Sequence, residues 1–269
     1  MEADRHMKYI LVTGAFGGMG RAMTKTLSEK GFCVFALDKK VGKAEKNIIP
    51  IEADVSSEES LKRALEEVKK HTDSLFAIVH FAGIYMLDSL VEMSGEEFER
   101  IIGINFFGAF YVNSTFLPLL SEGSRIVITT SELAPLDPLP FTGIYAVSKG
   151  ALDKYAYSLC MELQLLGISV SVLRAGAVKT DMLGASTNAL ERFVGKTKLY
   201  KCNAERFEKI VDSVEARCVP PEKIANKVLH ILGKKRPAFA YGINRNFLLL
   251  MLHSLPKRLQ LAIIKRVLK

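Results

Sequence analysis

A glycine-rich turn lies between a short apolar run and a helical stretch near the start of this chain, and it restricts the fold more than any other feature. Tyr9–Val12 runs into Thr13-Gly14-Ala15-Phe16-Gly17-Gly18-Met19-Gly20, and a helical pattern opens at Arg21. Glycines at 14, 18 and 20 let the backbone turn tightly, admit a pyrophosphate close to the main chain, and let the helix pack on the strand with its N-terminus toward the phosphates. The same glycines alone would also suit a plain tight turn. Their place after the first strand and before a helix points to a dinucleotide site, with contacts from Gly14, Phe16, Gly17, Gly18, Met19 and Gly20.

The rest of the chain keeps the rhythm that such a site needs. Tyr9–Val12, Cys33–Leu37, Ala77–Val79, Arg125–Thr129 and Ser169–Leu173 read as strands with helices between them, which predicts an α/β fold with one doubly wound parallel sheet. Ser56 or Ser57 is placed to cap a helix over Glu58–Lys70, Ser94 one over Glu96–Leu120, and Gly31 and Gly167 end theirs. Asp181–Ala216 breaks the rhythm: it is polar, strandless and too long for an ordinary connection, so it is expected to form a lid with short helices of its own. One domain over residues 7–233 and a C-terminal extension over 234–269 follow. Residues 1–6 fit no structural pattern and read as a leader before Met7.

Asp38 closes the second strand 18 residues beyond Gly20. A carboxylate there accepts hydrogen bonds from the adenosine ribose hydroxyls and repels a 2′-phosphate, so NAD is expected over NADP. Lys39 and Lys40 oppose this if they turn inward. Asp54-Val55 either holds the adenine or caps the next helix.

Tyr145 and Lys149 lie four apart at the start of a long helix, which puts an ammonium and a phenol on one face. A free phenol has a pKa of about 10, and a neighbouring positive charge favours the phenolate, so Lys149 is expected to make Tyr145 a usable proton acceptor. Ser131, at the end of the strand from Arg125, is placed to hydrogen-bond both a substrate oxygen and the tyrosine. An isolated Tyr-x-x-x-Lys is commonly an exposed helix pair, and a serine after a strand is commonly a turn residue. Their coexistence with the glycine turn is the informative fact.

On these residues the chain resembles the short-chain dehydrogenase/reductase family over nearly its whole length to about Gly233. The resemblance covers Thr13 to Gly20, Asp54, Ala82-Gly83, Asn105, Ser131, and Tyr145 with Lys149. It implies hydride transfer between NAD and an alcohol/ketone pair, with Asn105, Ser131, Tyr145 and Lys149 catalytic. It also implies that Asn105 bends its helix and holds a water linking Lys149 to solvent, that Tyr145, Lys149, Ala82 and Gly83 contact the cofactor, and that Gly176, Val178 and Thr180 bind its carboxamide. Two departures stand out. Phe81, preceded by His80, replaces the family's asparagine before Ala82-Gly83, and Ala175-Gly176 replaces a proline-glycine pair. His80 reads as a core histidine.

Ile84, Met86, Leu133, Pro135, Leu139, Phe141, Met182 and Phe193 surround the expected pocket, so a hydrophobic, steroid-, retinoid- or lipid-like substrate is expected. A 3-oxoacyl thioester on an acyl carrier protein and a non-catalytic dinucleotide-binding module are the alternatives. Cys33, Cys160, Cys202 and Cys218 lack metal-ligand spacing and read as reduced, mostly buried thiols, and no metal is expected. With no leader of signal type and no apolar run of roughly 18 residues, a cytosolic protein is expected, as a homodimer or homotetramer.

The net charge of +8 does not imply nucleic acid. From Lys234 onward there are nine Lys/Arg and no acid, leaving 28 basic against 29 acidic residues before it. After Pro256, Leu259, Leu261, Ile263, Ile264, Val267 and Leu268 fall on one broad helical face and Arg258, Lys265, Arg266 and Lys269 on the other. That pattern predicts either contact with an anionic membrane surface or packing on protein.

Overall fold

The computed structural model describes residues 7–215 and 217–269, with side chains outside 181–188 and 212–215. Seven strands form a single parallel sheet in the order β3-β2-β1-β4-β5-β6-β7: β1 Tyr9–Thr13, β2 Cys33–Asp38, β3 Ile48–Glu52, β4 Ala77–His80, β5 Arg125–Ser131, β6 Ser169–Ala175 and β7 Ala240–Ile243. The strand order reverses between β1 and β4, so a crevice opens there at the strands' carboxyl ends. The leader reading of residues 1–6 lies outside the described residues.

Helices cover both faces. α1 (Gly18–Glu29) and α8 (Pro221–Gly233) lie on one side, where Met23, Leu27, Ile224 and Val228 pack against Ile10, Val12, Val34 and Val79. On the other, α2 (Glu58–Lys69), α4 (Gly108–Phe116) and α5 (Gly143–Leu163) bury Leu61, Val112, Phe116 and Leu152 against Leu11, Phe35 and Ile128. Each such fully buried side chain contributes about 1.5–3 kcal/mol. Ser57 caps α2 by accepting the Ser60 N–H, and Ser94 caps α3 (Gly95–Ile102) in a reciprocal box with Glu97. Gly31 and Gly167 take the positive φ values of 83° and 72° that end their helices.

The helix after Ser94 is not uniform. It widens into a π turn at Gly103–Phe107 before α4 and ends in a tighter turn at Leu117–Leu119. Gly95–Leu119 as a whole is long and apolar enough to cross a membrane by length and composition, contrary to the expectation that nothing in the chain is. Here its Ala109, Val112 and Phe116 are core residues, while Phe107, Phe110 and Leu117 are exposed.

Three expectations change. The sheet continues past residue 233, because β7 pairs with β6 through Val172–Ala175, so the stretch after Lys234 begins as part of the domain. Of the four free thiols only Cys33 is buried; Cys160 and Cys218 are half-buried and Cys202 is exposed. The C-terminal helices α9 (Phe247–Ser254) and α10 (Lys257–Leu268) fold back onto the domain, yet only one edge of the predicted broad apolar face packs. Gln260 and Leu268 are buried and Ile264 partly so, whereas Leu259, Leu261, Ile263 and Val267 are exposed. Tertiary contacts select the stripe: Leu268 and Ile264 pack on Phe207 of α7 (Lys201–Glu215), and Gln260 donates to the carbonyls of His253 and Leu255.

The Asp181–Ala216 segment contains two helices, α6 (Asp181–Lys196) and α7. The end of α6 is tied down by carboxylates from the opposite rim. Lys196 meets Asp88 at 2.8 Å and Glu97 at 3.0 Å, and Glu92 accepts from the Thr197 hydroxyl and from the N–H groups of Lys198 and Leu199.

Candidate active site

The turn between β1 and α1 is built around absent side chains. Gly14 has φ of +65°, and a Cβ there would sit 2.6 Å from the Ala82 nitrogen, while one on Gly20 would sit 2.1 Å from the Gly14 carbonyl oxygen. No other residue fits either position without moving the main chain. Gly17 caps α1 without a side-chain hydrogen bond, and the first turn of α1 holds no acid, so its N–H groups face the cleft with a positive helix end behind them. A cleft of about 750 Å³ opens there, lined by Gly14, Phe16, Gly17, Gly18, Met19, Gly20, Asp38, Asp54, Val55, Ala82, Gly83 and Thr180. These residues fit a dinucleotide: a cradle for pyrophosphate at one end of the cleft and a strand-end carboxylate beside it.

That carboxylate is already oriented. Asp38 accepts the Phe16 N–H at 2.9 Å on Oδ2 and the Lys39 N–H at 2.8 Å on Oδ1. Lys39 turns away from it, and its Nζ donates to Asp54 at 2.7 Å. Asp54 also accepts from the N–H and hydroxyl of Ser56. Burial works to raise the Asp54 pKa, but the Lys39 and Ser56 hydrogen bonds outweigh it and hold it at about 2. The cap of α2 is Ser57, so Asp54 shapes the cleft wall and does not cap the helix.

Gly176, Val178 and Thr180 lie on the turn after β6. Val178 pairs with Val219, and the Lys179 N–H donates to the Val219 carbonyl, so the turn is braced despite lacking the proline. Thr180 approaches Gly18 so closely that a Cβ on that glycine would lie 2.6 Å from it. The two walls of the cleft therefore meet at the helix N-terminus.

Ser131, Tyr145 and Lys149 come together at the carboxyl end of β5. Ser131 is close enough to the Tyr145 hydroxyl to favour its ionised form, and the Tyr85 ring packs edge-on against Tyr145 at 4.7 Å. Lys149 Nζ lies 6.0 Å from the centre of the Tyr145 ring and donates to the Thr129 carbonyl at 3.3 Å. Asn105 sits in the π turn and is buried. Its side chain accepts the Ile84 N–H at 2.7 Å and donates to the Ile84 carbonyl and the Ser148 hydroxyl. The helix widens into its π turn at Asn105, and the side chain clamps the loop that follows Gly83.

The expectation that Lys149 makes Tyr145 a base is corrected in this state. Burial pushes the phenol up to about 12 against the influence of Ser131, and the nearby Glu132 charge adds to the rise. Burial likewise lowers Lys149 to about 8. The ammonium thus deprotonates at lower pH than the phenol, and Tyr145 stands as a proton donor.

A second cavity, of about 230 Å³, opens on Ser131 and Tyr145. Ile84, Leu133 and Leu139 line it as expected, joined by Phe207, Ile210 and Val211 of α7 and Leu249 of α9. Met86 and Phe193 line the cofactor cleft instead, and Phe141 packs at a tilt against Phe193 and edge-on against Phe207, pinning α6 and α7. Pro135 lines neither, and the Met182 side chain lies outside those described. No local signal marks the α7 and α9 residues as wall residues; only the folded chain brings them there.

The family model described as short chain dehydrogenase matches residues 8–191. The chain belongs to the short-chain dehydrogenase family. It is an oxidoreductase acting on CH–OH or keto groups, and the family uses NAD(P). Versicolorin reductase 1 of Aspergillus parasiticus is 30% identical over 237 residues, covering 82% of this chain and 87% of that one. Estradiol 17-beta-dehydrogenase 2 of Mus musculus is 33% identical over 192 residues, covering 66% of this chain and 50% of its own length. The fold matches a short chain dehydrogenase family protein from Francisella tularensis with a TM-score of 0.74 at 24% identity, over 88% of this chain and 97% of that one.

Among short-chain dehydrogenases the position of Phe81 departs from the pattern, and a different network braces the sheet here. His80 Nε2 bonds Asn113 Oδ1 at 2.9 Å, and the Asn113 amide reaches the Tyr155 hydroxyl at 3.2 Å. Burial pushes His80 down to about 4, against the Asn113 bond and with help from the Lys149 charge, so it is a neutral core residue. In the unfolded chain the imidazole titrates near its ordinary 6.5. The folded state therefore binds fewer protons, and stability falls as pH drops from 6.5 toward 4, by about 3 kcal/mol in total. His80→Gln is expected to remove that slope; urea unfolding at the two ends of this window measures it, and a native protein with no slope there contradicts the neutral histidine.

Proposed function

We propose that this short-chain dehydrogenase transfers hydride between NAD and an apolar alcohol/ketone pair, steroid-, retinoid- or lipid-like in character. The observation that carries this reading is the cavity at Ser131 and Tyr145. Among the described residues its walls hold Glu132 as the one acid and Lys149 as the one base, both buried, while Ile84, Leu133, Leu139, Phe207 and Leu249 supply apolar surface. Relatives named for versicolorin, estradiol and 3-ketodihydrosphingosine support it. The nicotinamide, when bound, supplies or accepts the hydride. Ser131 holds the substrate oxygen, Tyr145 gives it a proton during reduction and takes one during oxidation, and Lys149 and Asn105 position the site. A panel of steroid, retinoid and long-chain alcohols against sugars and short hydroxy acids, read by cofactor absorbance, tests it: preference for the sugars overturns it.

The choice of NAD rests on Asp38, which lines the cleft at the end of β2 while the Lys39 ammonium pairs with Asp54. Asp38→Ala is expected to weaken NAD binding by about ten- to a hundredfold, the worth of one or two charge-assisted hydrogen bonds, and to leave NADP binding unchanged or tighter. Affinities for both cofactors check this, and a native preference for NADP would defeat it. The segment over residues 181–217 acts as a lid anchored at its middle, Lys196–Leu199, with motion left to the stretches on either side.

On this reading the protein works in the cytoplasm as a homodimer or homotetramer; Phe107 in the π turn, Phe110 on α4, and Val147, Tyr157 and Met161 on α5 leave apolar surface exposed, which supports self-association. It also associates with anionic membrane. Phe247, Leu248, Met251, Leu261 and Val267 stay exposed beside Arg258, Lys265 and Arg266, and anionic lipid contributes about 1 kcal/mol per basic residue near the surface. Deleting the tail would also remove the Leu249 wall, so exposed residues make the better probe. Leu261→Glu with Arg266→Glu is expected to weaken sedimentation with anionic vesicles at low salt by tenfold or more. If the native protein does not sediment, the face belongs to a second copy of the chain.

A further inference from the structure

Glu132 is a buried carboxylate that the chemistry above leaves without a role. It follows Ser131 directly, and its own N–H donates to the Ala175 carbonyl at 2.9 Å. Its Oε2 accepts the N–H of Asn246 at 2.5 Å, a residue 114 positions away, and its Oε1 lies 3.1 Å from where a Cβ on Gly176 would be. The same C-terminal segment grips the turn after β6 at further points. The Gly176 N–H donates to the Ile243 carbonyl at 3.0 Å, and the Asn244 amide donates to the Ala177 carbonyl at 2.8 Å and the Arg217 carbonyl at 2.9 Å. Asn244 does this from a left-handed φ of 53°, and its carbonyl oxygen would lie 1.9 Å from a Gly176 Cβ. Asn246 then caps α9 by accepting the Leu248 N–H, and the next residue, Leu249, reaches the cavity.

We propose that Glu132 is a positioning residue: it latches residues 244–246 to the floor of the active site through the Asn246 N–H and so holds α9, with Leu249, as a wall of the substrate cavity. A buried carboxylate is costly unless hydrogen-bonded, so the latch stabilises the closed arrangement from both sides. The same charge stands close to the catalytic phenol. The groups that act on it are Tyr145 from α5 and Arg245 from the latched segment, with Lys149 on the wall of the same cavity, while Arg174 of β6 is spent on Asp153. Loss of the Glu132 charge favours the Tyr145 phenolate.

Two variants test this, and only the kinetic arms rest on the hydride-transfer reading. Glu132→Ala removes the acceptor. Amide hydrogen exchange over residues 247–254 is expected to quicken by tenfold or more, and the apolar substrate's KM to rise at least fivefold with kcat within about threefold. Glu132→Gln keeps an oxygen for the Asn246 N–H and removes the charge. It is expected to restore near-native exchange and KM while moving the Tyr145-dependent limb of the pH profile toward acid by about one unit. Unchanged exchange in Glu132→Ala overturns the latch whatever the enzyme's substrate. A Glu132→Gln pH profile that superimposes on the native one overturns the link to Tyr145.

Discussion

Tyr145→Phe is expected to bind NAD with near-native affinity and to lose turnover by about a thousandfold, the worth of a positioned proton donor. The aromatic ring keeps its edge contact with Tyr85, so packing barely changes, while the hydroxyl beside Ser131 is gone. Single-turnover rates separate this from slow product release. Because the phenol is held at about 12, the native enzyme donates its proton across the whole neutral range when it reduces a ketone. Oxidation needs the phenolate and is expected to climb with pH until that limb is reached. A Tyr145→Phe enzyme with native single-turnover rates would leave the proton to another group.

Lys149→Met is expected to be at least as damaging to turnover and, at neutral pH, to make the protein more stable. The side chain is buried, its Nζ is 3.4 Å from where a Cβ on Gly83 would be, and it holds the Thr129 carbonyl. Losing it removes the positive charge on the catalytic helix face. Burial lowers the ammonium from its ordinary 10.5 to about 8, so at pH 7 the folded state carries a charge the unfolded state holds more cheaply. The native protein therefore gains stability as pH rises from 8 toward 10.5, and Lys149→Met gains it at pH 7, by about 3 kcal/mol less the lost Thr129 bond. Denaturant unfolding of both proteins at pH 7 measures this. A variant both inactive and less stable would mean that the lysine is chiefly a structural prop.

What could be read in the sequence was what local chemistry fixes. The glycine turn is legible from its own spacing, Gly20 closing on the Gly14 carbonyl, although Ala82 and Thr180 crowd Gly14 and Gly18 from far along the chain, and Tyr145 and Lys149 share a face because helices repeat. The π bend at Asn105 came by resemblance, and Ser57 and Ser94 announced their helices. Illegible were the arrangements that join distant positions. Lys39 pairs with Asp54 across the cleft wall because β2 and β3 end side by side. The acidity of Tyr145 was misjudged because burial and Glu132, both products of folding, oppose Lys149. Periodicity put six residues on one face of α10, but only Ile264 and Leu268 of them pack beside Phe207, and Gln260 is buried by its bonds to the His253 and Leu255 carbonyls. The strand Ala240–Ile243 is short and carries a glycine, so only its pairing with β6 identifies it.

The central claim is direct hydride transfer between an apolar carbinol carbon and the cofactor, with Tyr145 handling the proton. The sharpest test is oxidation of a long-chain or steroid alcohol deuterated at the carbinol carbon, followed by analysis of the reduced cofactor. The account predicts one deuterium on the nicotinamide ring per turnover, none acquired when the unlabelled alcohol is oxidised in deuterated water, and transfer slowed about a thousandfold in Tyr145→Phe. Solvent hydrogen on the ring, or deuterium transfer at the native rate without the tyrosine hydroxyl, would contradict it.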